Sequence, residues 1–202
     1  MSIEERVQLV ENLFLQLEQE TTVFQQTSGL GCVSGCGKCC TYPDIEASPL
    51  EFLPWAFHLF LNGEAEKTLL LLNKSTSLTC LIYKPLSIIG QGRCSDYKYR
   101  GLICRLFGFA ANTDKYGKLR LATCKIIKEG QSDNYNKTAE AITKDLNIPV
   151  FTEYYMQLNQ IDFHLGNIIL PVNKALKMAL EEVLQYYAYR PMPSIGKNAL
   201  PA

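Results

Sequence analysis

The chain has 202 residues, 47% of them hydrophobic and 20% charged, with 20 Lys+Arg balanced against 20 Asp+Glu. This is the composition of a globular protein with one good core, and its neutrality gives no global attraction for nucleic acid or an anionic surface. The longest aliphatic run, Leu69 to Leu72, falls far short of the ~20 residues that span a bilayer, and no basic segment followed by an apolar stretch opens the chain. The expectation is one compact domain over residues 1–202, cytoplasmic, with no membrane contact.

In chain order, Ile3, Val7, Val10, Phe14 and Leu17 recur at steps of four and three, which predicts an amphipathic helix over 2–20. Glu4, Glu5, Glu11, Glu18 and Glu20 fall on its remaining surface, with Arg6 as the lone cation there. Residues 28–44, SGLGCVSGCGKCCTYPD, form an irregular Gly/Cys-rich loop. Its glycines permit a tight wrap, and no Lys-Ser/Thr follows them as a phosphate loop requires. Ser48-Pro49-Leu50-Glu51 carries an N-cap, a first-turn Pro and a capping-box Glu, so it predicts a helix start, with Pro54 able to kink or shorten that helix. A second helix is expected over 64–73. Residues 104–124 predict a β-hairpin, CRLFGFAA and KLRLATC around NTDKYG, with Cys104 facing Cys124 across the ladder. Helices are expected over 137–146, 152–163 and 171–188, and the Pro/Gly-bearing tail from Arg190 leaves helix. The fold class is mainly α with a small β-hairpin and an irregular metal-binding loop packed among the helices.

The eight cysteines, Cys32, Cys36, Cys39, Cys40, Cys80, Cys94, Cys104 and Cys124, all lie within residues 32–124. A chain of this size does not need four disulfides, and in a reducing compartment thiols at short spacing serve metals. Three close cysteines with a distant fourth is an iron–sulfur arrangement, which Cys32, Cys36 and Cys39 with a later cysteine satisfy; zinc sites more often show two compact pairs. An iron–sulfur cluster is therefore preferred and zinc is the alternative. Between Arg93 and Lys128 there are nine Lys/Arg against Asp96 and Asp114, a charge balance that would offset an anionic thiolate centre. Arg100 and Arg105 are expected as donors to its sulfurs. The same basic stretch, with Tyr97, Tyr99 and Tyr116, is the basis of a nucleic-acid reading, disfavoured by overall neutrality. His58 and His164 are distant from the cysteines in sequence and are expected to be packing residues.

The run Cys32-x3-Cys36-Gly37-Lys38-Cys39-Cys40, followed by Cys80, Cys94-x2-Tyr97-x2-Arg100 and Cys104-Arg105, resembles the YkgJ-type cysteine-cluster family, the zinc- or iron-chelating domain. The resemblance covers about 28–125. Where the family usually carries Pro after the Arg of Tyr-x2-Arg, this chain has Gly101. The family implies metal binding without a general reaction, and no catalytic residue is identified. Three functions are open: a cluster protein in electron transfer, redox sensing or metal handling; a structural zinc interaction module with an unknown protein partner; and a modifying enzyme related to flagellin lysine methylases, which share a cysteine pattern. No S-adenosylmethionine motif supports the last.

Overall fold

The computed structural model describes residues 1–86, 91–144 and 146–193. Helix α1 spans Ile3–Ser28. Ser2 Oγ accepts from the Glu5 amide at 3.1 Å and the Glu5 carboxylate accepts from the Ser2 amide at 2.7 Å, so both ends of a capping box are made. The helix runs eight residues past the expected end, through the β-branched Thr21-Thr22-Val23. Thr22 and Thr27 offset that propensity loss by donating their hydroxyls to the Glu18 and Val23 carbonyls at 2.6 and 2.9 Å. Gly29 stops it in the left-handed region at φ 65°, with its amide on the Gln25 carbonyl.

Ile3, Val10 and Leu17 are fully buried, as their spacing predicts. Arg6 is a correction. It is buried rather than solvated, because it donates to Asp162 at 2.7 Å and Glu182 at 2.9 Å, which belong to later elements. A buried guanidinium with two carboxylates is neutralised and hydrogen-bonded, so it ties the start of α1 to the far end of the chain.

The expected helix start at Ser48 is a 3-10 turn, Pro49–Phe52, leading into α2 (Leu53–Leu61). Pro54 is tolerated because it falls in the first turn of α2, where its missing N–H would have no intrahelical partner. Helix α3 covers Ala65–Lys74. The main core gathers α1, α2, α3 and α9 (Val172–Tyr187) around Trp55, Leu53, Leu176 and Leu180.

Three two-stranded antiparallel pairs join this frame. Strand β1 (Glu46–Ala47) pairs with β6 (Leu170–Pro171), Glu46 opposite Pro171. Strand β2 (Tyr83–Pro85) pairs with β3 (Gly92–Cys94), Tyr83 opposite Cys94. Strand β4 (Ala110–Thr113) pairs with β5 (Leu119–Ala122), turning through Gly117 at φ 78°.

The last pair is shorter than the predicted hairpin. Residues Leu102–Leu106 form a helical turn, α4, whose Leu102 and Leu106 are buried in the core, and Gly108 at φ 102° turns the chain into β4. Cys104 therefore lies on α4 and does not face Cys124 across a ladder; Ala110 and Ala122 make the first rung.

Four further helices complete the chain between β5 and α9: α5 (Lys125–Gly130), α6 (Ser132–Ile142), α7 (Phe151–Ile161) and α8 (Phe163–Gly166). Beside them Phe24, Leu30 and Ala111 join Ile127, Ile142 and Ile148 in a second, smaller core. The expected non-helical tail begins after α9, and residues 194–202 lie outside the described residues. No helix among the described residues is long and apolar enough to cross a membrane.

Candidate metal centre

The cysteine loop is fixed by backbone rather than by its own side chains. Gly35 and Gly37 sit at φ 70° and 53°, the left-handed region in which an L side chain is strained. The Gly35 carbonyl accepts from the Gly92 amide at 3.1 Å, which lays the loop on β3. The approach is close enough that a Cβ on Gly37 would meet the Gly92 carbonyl oxygen at 2.5 Å, and one on Gly92 would run into the Tyr83 ring. A 3-10 turn, Lys38–Thr41, then carries Cys39 and Cys40, with the Cys40 amide on the Gly37 carbonyl at 3.0 Å. The loop is thereby set beside Cys94, the last residue of β3.

The remaining cysteines arrive on other supports. Cys80 opens a turn in which its carbonyl accepts from the Tyr83 amide at 3.0 Å. Cys104 is on α4. The neighbouring Ile103 amide donates to Glu51 Oε2 at 2.8 Å, while Glu51 Oε1 accepts from the Ser48 amide at 2.8 Å and the Tyr155 hydroxyl at 3.0 Å. This buried carboxylate joins the Pro49–Phe52 turn, α4 and α7. It also explains Gly101: a Cβ there would lie 2.8 Å from the Phe52 ring and 3.0 Å from Glu51 Oε2. Cys124 caps α5, its sulfur accepting from the Ile127 amide at 3.5 Å.

Cys39, Cys40, Cys80 and Cys104 line one cavity, and their charges bear on one another. Cys39 is the common neighbour: its charge acts on Cys32, Cys40, Cys80, Cys94 and Cys104. The charges of Cys36 and Cys124 also act on Cys32. Sharing a hydrogen bond with the Cys40 thiol pulls Cys39 down to about 6, helped by backbone N–H groups and Arg100, and pushes Cys40 up in return. Burial raises Cys80 to about 11 and raises Cys32, Cys94 and Cys104 as well, with neighbouring sulfur charges adding to each. A bound metal ion would favour the thiolate form of these buried donors.

Both arginines lie in the field of the thiols, Arg105 beside Cys104. Arg100 lowers the pKa of Cys32, Cys39 and Cys94, so its charge is felt on three thiols at once. Its guanidinium carbon lies 4.0 Å from the centre of the Tyr97 ring, and its buried Nε has no hydrogen-bond partner. Arg105 directs its described hydrogen bonds to the Arg100 and Lys98 carbonyls, at 3.1 and 2.5 Å, and stacks on Phe14. It braces the 98–101 segment against α1.

Three side chains that sequence reasoning missed hold the cysteine segments from beyond residue 130. Gln131 accepts from the Gly31 amide at 3.0 Å and donates to the Gly31 carbonyl at 2.7 Å, beside Cys32. Asn134 donates to the Gly29 carbonyl at 3.2 Å. Asn173, in the first turn of α9, accepts from the Leu81 amide at 2.8 Å and donates to the Ser77 and Thr79 carbonyls at 2.9 Å each, on both sides of Cys80. Polar amides on helices carry no sequence mark distinguishing a clamp from a solvated residue. His58 is a surface partner of Tyr99 and Asn62, at 3.0 Å from each.

A cavity of about 540 Å³ opens against Cys39, Cys40, Cys80 and Cys104. Among the described residues no three His, Cys, Asp or Glu side chains converge as the ligands of a single ion. Four of the eight cysteines line this cavity. Their chemistry suits a soft metal or a metal–sulfur cluster, and the unpartnered Arg100 Nε–H offers a hydrogen bond to an anionic group beside the thiols.

A mainly helical frame presents several thiols to one cavity, the donor chemistry of a cysteine-cluster metal site. Residues 31–125 match the family model CxxCxxCC, described as "Putative zinc- or iron-chelating domain". The chain has one residue more than the family label between its first two cysteines, Cys32 and Cys36. No curated protein and no solved structure matches the chain.

Proposed function

We propose that this chain holds an iron–sulfur cluster through its cysteines and works in electron transfer, redox sensing or metal handling. The observation that carries the reading is the gathering of thiols from the Cys32–Cys40 loop, the Cys80 turn, β3 and α4 around Cys39 and beside a cavity. A lone zinc ion would need four sulfurs drawn to about 2.3 Å from one point, whereas a cluster needs room between them. Arg100 would donate to a cluster or thiolate sulfur and offset its charge. When bound, such a cluster supplies one-electron chemistry; the protein sets its potential through burial and hydrogen bonds to sulfur. The Cys36-x2-Cys39 spacing supports a second reading, a structural zinc site in a module that binds a protein partner.

Purification without oxygen, with metal and acid-labile sulfide assays and a visible spectrum, separates the two. Brown protein with iron and sulfide in comparable amounts is the expected result. Colourless protein carrying zinc would overturn the cluster reading in favour of the second.

A further inference from the structure

We propose that the metal centre forms one wall of a binding pocket for a small ligand with an apolar body and a cationic group. This rests on the metal-centre reading and goes beyond it, because it concerns the walls away from the thiols. The cavity of about 540 Å³ would be shared, the metal centre on its cysteine side and the ligand against the remaining walls. Away from the four cysteines it is lined by Ile45, Ile103, Phe107, Val172 and the ring of Tyr42. The four apolar side chains carry no charge and ligate no metal ion; with the Tyr42 ring they would cover an aliphatic or aromatic body.

That lining is built on fixed backbone. Ile45 and Glu46 flank the start of β1, Glu46 is paired with Pro171 of β6, and the Val172 amide donates to the Ile45 carbonyl at 2.8 Å. Ile103 is held through its amide by Glu51. A pocket with such walls is preformed, and a ligand entering it orders little.

The sign of the ligand's charge follows from the polar lining. Asp44 and Glu46 are exposed, neither is in an ion pair among the described residues, and no Lys or Arg lines the cavity. Metal-bound thiolates add negative charge: a tetrathiolate zinc carries about −2. Tyr42 and Phe107 add two aromatic rings to the lining. An ammonium meets two carboxylates here, and an anion meets no cationic side chain of the described lining.

The test uses the full chain with its metal, 2-phenylethylammonium as the probe and 3-phenylpropionate as its anionic counterpart, each titrated by calorimetry, with metal content assayed in the same sample. The ammonium is expected to bind saturably and about tenfold more tightly than the carboxylate, as two exposed carboxylates permit. The double variant Asp44→Asn/Glu46→Gln changes only exposed side chains and is expected to lose that preference with metal content unchanged. Val172→Phe, which fills the cavity from α9, is expected to block the ammonium. Equal binding of the two probes, or binding of neither, by metal-replete protein would overturn the pocket and leave the metal centre standing. Selective ammonium binding by a protein that takes up no metal would support the pocket's apolar and acidic walls while overturning the metal centre.

Discussion

Replacing Asn173 with Ala tests whether the C-terminal helices hold the metal ligands or only share a core with them. The substitution removes three hydrogen bonds to the segment carrying Cys80. The Ser77 carbonyl is on the exposed side and regains water at little cost. The Leu81 amide and Thr79 carbonyl are partly buried, and each costs about 1 kcal/mol when left without its partner. Ala recovers a few tenths as the better helix former, which leaves a loss of about 1.5–2 kcal/mol. If the bonds serve to hold Cys80 for metal, that loss reappears as a metal affinity lower by about 10- to 30-fold. Competition with a chelator measures the affinity, and urea unfolding of the same samples measures stability. Asn173→Asp keeps the acceptor for Leu81 but turns two donors into repulsion with carbonyls, so it should fall at or below Ala in both assays. An Ala variant that loses stability yet keeps its metal affinity within twofold would refute the positioning role.

Gly92→Ala would drive a Cβ into the Tyr83 ring and dislodge the loop held through Gly35, costing about 1–3 kcal/mol and lowering metal content; a fully loaded, equally stable variant would contradict this account of the loop. Arg100→Ala should raise the pKa of Cys32, Cys39 and Cys94 and weaken metal binding about tenfold at neutral pH; unchanged metal content and an unchanged spectrum would remove Arg100 from the centre. Burial raises Glu51 to about 7, so folding favours its protonated form: its contribution is full below about 4.5 and fades by about 3 kcal/mol as pH rises through 7. Glu51→Gln abolishes that slope, so variant-minus-native stability should climb by about that amount between pH 5 and 8 at matched metal loading, and a constant difference would show that Glu51 does not titrate there.

Much of the frame was legible because it follows from periodicity. The apolar stripe of α1, the Ser48–Glu51 start and the long final helix carry their own patterns and appear where those patterns place them. Arg6 was misread because a helical repeat shows which residues are apolar but not which carboxylates a fold will bring to a cation from 156 and 176 residues away. Cys104 was misplaced because CRLFGFAA alternates well enough for a strand, while burial of Leu102 and Leu106 together is a helical solution. The cysteines themselves were readable as a set, through their spacing and family resemblance. Their supports at Gln131, Asn134 and Asn173 were not, since each acts through a long-range backbone contact that has no local signature.

The clamp on Cys80 also sets an order of events during synthesis. Asn173 lies 92 residues downstream of the Leu81 amide it accepts from. At about 5–20 residues per second, roughly five to twenty seconds separate the emergence of the two partners. Cys94, Cys104 and Cys124 are made during that interval, and all eight thiols are present before the Cys80 segment gains its clamp. A nascent chain that captured metal early would do so with a looser and less selective set of ligands than the finished fold offers. Correct loading is therefore best served by a metal supply that acts after the last helix has docked.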